Sequence, residues 1–141
     1  MPRKSKALAL DAWSVFAYFE GEAAGERVAD LIADAHENKV ELLMTTVNAG
    51  EVWYIIARAT SAAEADASIA ELGQLGIRIL DVDWRLAREA AGIKTRHHLS
   101  FADCFAAALA KQHKADLVTG DADFRRVESE IRVTWLSTPQ S

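Results

Sequence analysis

The chain has 141 residues, half of them hydrophobic and 26% charged, which is core enough for one domain and excludes whole-chain disorder. Its single cysteine, Cys104, excludes an intramolecular disulfide framework and a zinc site built on several thiolates. The net charge of −5 argues against a broad, non-specific nucleic-acid coat, although the acids concentrate in residues 20–90, with 14 acids against 6 bases. Basic groups nearer the chain ends leave room for a local polyanion site.

The apolar stretch Ala7–Leu10 ends at Asp11 and is too short for a secretory signal. The small-apolar run Cys104–Ala110 is too short to cross a bilayer. A reduced, cytoplasmic protein with no membrane partner is expected. Only Pro2 and Pro139 occur, both at the ends, and no repeat or linker divides residues 1–141, so a single domain is expected.

In chain order, Lys6–Leu10 reads as a strand, Ala12–Phe19 as a helix and Gly21–Gly25 as a turn. Glu26–Asn38 places Val28, Leu31, Ile32 and Ala35 three and four apart, the spacing of a helix facing a core. Glu41–Thr45 reads as a strand. Val47–Ala59 follows as a helix with Val52, Ile55, Ile56 and Ala59 on one side. Ser61 and Glu64 form a capping box that opens a helix to about Leu72. Ile77–Val82 is a β-branched strand, and Asp83 caps a helix over Trp84–Lys94. Ser100 caps Phe101–His113, with Phe101, Cys104, Phe105, Ala108 and Leu109 as its core stripe. Asp116–Thr119 is a strand, Ala122–Val127 a helical turn, and Val133–Leu136 a last strand. Strands alternating with helices predict a three-layer α/β/α sandwich with a mainly parallel, five-stranded sheet. Such sheets bind ligands outside the carboxyl ends of their strands.

Polar residues just after strands therefore draw the eye. Asp11 follows the first strand and Asp121 the fourth. Glu51 lies in the mostly apolar run Val47–Ile56, bordering its stripe through Ile55. Asp103 lies in a first helical turn between Phe101 and Phe105. Burying Glu51 or Asp103 ionised, without a partner, is costly. Each acid also has an ordinary structural use: Asp11 as a helix cap, Asp121 as a turn residue, Asp103 in a capping box, Glu51 as a solvated rim. That explanation needs four coincidences, whereas one cation accounts for all four acids.

The segments Leu10-Asp11-Ala12-Trp13-Ser14, Asn48-Ala49-Gly50-Glu51-Val52, Ser100-Phe101-Ala102-Asp103-Cys104 and Thr119-Gly120-Asp121-Ala122-Asp123-Phe124 together resemble a PIN-domain nuclease. Most closely the chain is similar to the VapC-type toxin of a toxin–antitoxin pair. The resemblance implies strand order 3-2-1-4-5, which sets the first and fourth strands side by side and brings Asp11 to Asp121. Many members carry Ser or Thr two residues after the first Asp, where this chain has Trp13; Ser14 is next along, and Thr119 matches the small hydroxyl residue before the fourth acid. Asp123 is a fifth acid or an alternative to Asp121, which is preferred as nearer the strand end.

Four crowded carboxylates repel one another and stay ionised at neutral pH only beside cations. Oxygen ligands suit Mg²⁺ or Mn²⁺. The expected reaction is Mg²⁺-dependent hydrolysis of RNA phosphodiesters, leaving, by resemblance, a 5′-phosphate and a 3′-hydroxyl. Asp11 and Asp103 are assigned as metal ligands, Asp121 as a direct or water-mediated one, and Glu51 as the group that holds or deprotonates the attacking water. Lys94, Arg96, His97, His98, Arg125 and Arg126 are candidate phosphate contacts, with solvated loop and helix ends as their ordinary alternative. Cys104 reads as packing. Trp13, Phe16, Tyr18, Phe19, Trp53 and Tyr54 read mostly as core, with a remainder available for a partner. The resemblance implies two partners, a second copy and an antitoxin. Two rivals stand beside this reading: another Mg²⁺-dependent phosphohydrolase on a similar fold, and a non-catalytic RNA- or protein-binding module.

Overall fold

The structure is a computed structural model, and it describes residues 6–136; Pro2 and Pro139 lie outside them. The elements alternate as expected. They are β1 (Ala7–Leu10), α1 (Ala12–Glu20), α2 (Ala23–Glu37), β2 (Glu41–Thr45), α3 (Thr46–Ala59) and α4 (Ala62–Gln74). There follow β3 (Ile77–Leu80), α5 (Trp84–Arg96), α6 (Phe101–His113), β4 (Asp116–Thr119), a 3-10 turn (Ala122–Val127) and β5 (Val133–Trp135). The five strands form one sheet in the order 3-2-1-4-5, and every pairing is parallel.

Register explains the two cores. Ala9 sits opposite Leu43 on β2 and Leu117 on β4, and these three point to one face. That face is covered by α5 and α6 through Leu86, Ala90, Ile93 and Leu109, with Phe124 and Val127 beside them. Leu10 opposite Val118, with Leu42 and Met44, points to the other face, against Val15, Val28, Ile32, Val52 and Leu72. The period of two along each strand thus fills both layers. Ala106, Ala107, Ala108 and Ala110 are fully buried, and their small side chains let α6 lie close on the sheet.

Helix starts follow the expected caps. Asp83 accepts from the Leu86 amide at 2.9 Å, Ser61 from Glu64 at 3.1 Å and Ser100 from Asp103 at 3.1 Å.

Several expectations are corrected. The turn expected over Gly21–Gly25 is shorter, because α2 already begins at Ala23. Gly21 does end α1, with φ +70°. Gly25 instead lets two helices touch: a Cβ there would stand 2.1 Å from the Ala17 carbonyl oxygen. On α3 the buried face runs through Asn48, Ala49 and Val52, so Ile55 is 39% exposed and Ala59 lies in solvent. Leu31 is only partly buried. Phe101 is the first residue of α6 and is 49% exposed, leaning on Phe105 with ring centroids 4.8 Å apart. β3 stops at Leu80, two residues early, and Val82 packs on the core from the connection instead.

Candidate metal centre

Asp11 leaves β1 at the seam with β4 and is only 2% exposed. One carboxylate oxygen accepts from the Ser14 amide at 2.8 Å, which caps α1. The other accepts from the Thr119 hydroxyl at 2.5 Å. Burial pushes the Asp11 carboxyl up to about 7, against the pull of these hydrogen bonds, and the Asp103 charge adds to the rise. Ser14 is fully buried, its hydroxyl donates to the Asp11 main-chain oxygen at 2.9 Å, and its side chain also helps to hold the Asp11 carboxyl down. Of the two hydroxyls beside the Asp11 carboxyl, that of Thr119 acts on it more strongly. The Trp13 indole packs against Gly120, where a Cβ would meet the ring at 2.2 Å.

Asp103 sits in the first turn of α6. Its carboxyl is raised to about 6, first by burial and then by the negative charges of Asp121, Glu51 and Asp123. Asp103, Asp121 and Asp123 each offer an oxygen within 4.8 Å of the others. Thr119 ties this group to Asp11, since its hydroxyl oxygen also accepts from the Asp121 amide at 3.0 Å. Asp123 in turn donates its amide to the Asp121 carboxylate at 2.9 Å. Both candidates for the fourth acid are thus in the group. Glu51 is partly buried, and burial raises its carboxyl above the usual carboxylate range. Asp11 and Glu51 stand outside the tight group but close enough to act electrostatically, Asp11 with Asp103 and Glu51 on Asp103. Cys104 is fully buried, and burial pushes its thiol up, as befits packing.

Sequence reading passed over three connections. Asn48, fully buried three residues before Glu51, accepts from the Thr45 hydroxyl at 2.5 Å and donates to the Ala102 carbonyl at 3.0 Å. It links the start of α3 to the residue preceding Asp103. Its signal was present as a lone amide in an apolar run, but its partner is 54 positions away. Arg126 donates to the Asp123 carboxylate at 3.2 Å and to the His98 carbonyl at 3.0 Å, joining the segments that carry Asp103 and Asp123. Glu130 accepts from Arg96, Lys111 and His97, and these hydrogen bonds, that from Arg96 first, hold its carboxyl down at about 2. Lys94 donates to the Leu99 carbonyl at 2.5 Å. Four of the expected phosphate contacts thus have partners within the chain: Lys94 and Arg126 on carbonyls of the connection before α6, Arg96 and His97 on Glu130.

Two surface concavities, of about 660 and 730 Å³, include none of Asp11, Glu51, Asp103, Asp121 and Asp123. Convergence of charge, not depth, marks the centre. An all-oxygen donor set, with no histidine or cysteine in the tight group, fits a hard divalent cation. Burial is the first cause of the raised Asp11, Asp103 and Glu51 carboxyls, and neighbouring negative charge adds to it at Asp11 and Asp103.

Comparison with solved structures finds the same fold in several proteins. DNA-bound VapBC from Salmonella typhimurium has a TM-score of 0.72 at 18% identity, covering 95% of this chain and 100% of that one. FitAcB from Neisseria gonorrhoeae has a TM-score of 0.66 at 23% identity, covering 92% and 97%. A VapC toxin from Mycobacterium tuberculosis, described as cleaving the Sarcin-Ricin loop, has a TM-score of 0.65 at 20% identity, covering 90% and 98%. Among curated proteins no match is found. The sequence matches the family described as PIN domain over residues 8–130, which include all five acids, and the chain belongs to that family.

Proposed function

We propose that residues 1–141 act as one domain, a Mg²⁺-dependent ribonuclease serving as the toxic component of a toxin–antitoxin pair. The observation that carries this is the cluster of Asp103, Asp121 and Asp123 joined through Thr119 to the buried Asp11 at the β1–β4 seam. Family membership and the toxin folds it resembles support the same class of chemistry.

In this reading Asp11, Asp103 and Asp121 hold the ion, with Asp123 beside them. When bound, Mg²⁺ or Mn²⁺ lowers the pKa of a water and offsets charge on the phosphate. Glu51, raised by partial burial, takes the proton of the attacking water. Thr119 keeps the Asp11 carboxylate facing the seam. Asn48 and Arg126 fix the spacing of the segments that carry the acids. An antitoxin and a second copy are the proposed protein partners, and the cytoplasm is the proposed location. Among the described residues no helix is long and apolar enough to cross a membrane.

The test is cleavage of RNA with and without Mg²⁺. Asp11→Asn and Asp103→Asn should each abolish it while circular dichroism stays unchanged. A variant that cuts at the wild-type rate removes its residue from the site. Hydrolysis of a small phosphate ester but not RNA would favour a phosphohydrolase, and absence of both a binding-only module.

A further inference from the structure

One feature of the α5–α6 pair plays no part in the acidic centre. Trp84, the first residue of α5, is 76% exposed, the most exposed large hydrophobic side chain among the described residues. It borders the concavity of about 730 Å³, whose other walls are Arg85, Arg88, Glu89, Lys111 and Gln112. The cleft has fixed sides. Gln112 donates to the Arg85 carbonyl at 3.3 Å, and Lys111 bridges Glu89 at 3.2 Å and Glu130 at 2.8 Å. Lys111 and Glu89 thereby offset each other.

Arg85 and Arg88 differ from Lys111. Both are exposed, and among the described residues neither guanidinium has an ion-pair or hydrogen-bond partner. Positions 84, 85 and 88 share one side of a helix. Asp83, the adjacent acid, is engaged at the helix end with the Leu86 amide. The Arg88 guanidinium lies over Gly92 in the next turn, where a Cβ would stand 3.4 Å from Arg88 Nη1 and 3.2 Å from Arg96 Nη1.

An indole in water beside two unpaired guanidiniums matches a ligand with planar rings and regularly spaced negative charge. Single-stranded RNA has both: a base stacks on the indole and phosphates meet the arginines. An acidic peptide would satisfy the arginines but offers the indole no stacking partner. We propose that Trp84, Arg85 and Arg88 form a second RNA-binding site, which grips a single-stranded segment of the substrate away from the bond that is cut. This rests on the ribonuclease reading for the identity of the ligand.

The test is fluorescence anisotropy of a 5′-labelled single-stranded RNA with the full chain in EDTA, where nothing is cut. Trp84→Ala should weaken binding about tenfold, and Trp84→Phe should retain most of it. The Arg85→Ala/Arg88→Ala double variant should flatten the dependence of log affinity on log salt by about 1.4. With Mg²⁺, Trp84→Ala should raise KM for a long RNA and leave kcat unchanged. Wild-type affinity in Trp84→Ala would overturn the proposal, and so would loss only in the arginine variant together with competition by a poly-glutamate peptide, which would point to a protein partner. The two readings fail separately. Cleavage by wild type with no effect of Trp84 sinks the second site alone; Trp84-dependent binding without cleavage sinks the ribonuclease alone.

Discussion

Thr119 and Asp11, 108 positions apart in the chain, meet in the core through a 2.5 Å hydrogen bond across the β1–β4 seam. The same hydroxyl oxygen accepts from the Asp121 amide, so one side chain orients two of the acids. Thr119→Val keeps the shape and removes both bonds. Cleavage should fall about 10- to 100-fold, the usual loss when a group that orients a metal ligand is removed. Thr119→Ser should restore most of it. Steady-state kinetics on one RNA decides, and an unimpaired valine variant would contradict the role.

The metal-free protein should lose stability as pH rises. Asp11 has its carboxyl raised from 3.8 to about 7, and Asp103 from 3.8 to about 6. Between the unfolded and folded values the folded state binds more protons, so stability decreases with rising pH and levels off above about 7. Glu130 works in the opposite sense. Its carboxyl is lowered to about 2, so its contribution is present above 4.5 and is lost only as pH falls through about 2. It therefore does not vary between pH 5 and pH 8, where the Asp11 contribution is falling. The melting temperature in EDTA should be lower near pH 8 than near pH 5, and Mg²⁺ should raise it more near pH 8. Asp11→Asn should remove much of the pH dependence.

Two glycines predict different penalties. At Gly25 an added methyl meets the Ala17 backbone carbonyl at 2.1 Å, and neither helix yields easily. Gly25→Ala should destabilise by about 3 kcal/mol. At Gly120 the obstacle is the tip of the Trp13 ring at 2.2 Å, which can swing. Gly120→Ala should cost about 1–2 kcal/mol, most of it recovered in the Trp13→Leu background. Urea unfolding of the four variants measures this; equal penalties would show that the backbone contact at Gly25 is not special.

The elements best read from sequence are those with chemical end signals. Ser100 and the αL residue Lys114 bound α6 at Phe101–His113, and β2 and β4 match residue for residue. Strand order came from the family resemblance, since spacing alone does not choose a neighbour. What escaped was long-range. Gly25 looked like turn punctuation because its partner at Ala17 belongs to another helix. Ile55 looked buried because helical periodicity marks an apolar side without saying whether a neighbour covers it. The acids at 11, 51, 103 and 121 were visible as residues out of place, but Asn48 and Arg126, which join the segments carrying them, became legible only once the loops had met.

The most direct measurement is calorimetric titration of Mn²⁺ into the full chain near pH 8, beside Asp103→Asn. Asp103 is the acid whose carboxyl feels Asp121, Glu51 and Asp123. Saturable binding to wild type, lost or weakened at least tenfold in the variant, is the result expected. Equal heats and affinity in both proteins would contradict a divalent-ion centre at these carboxylates.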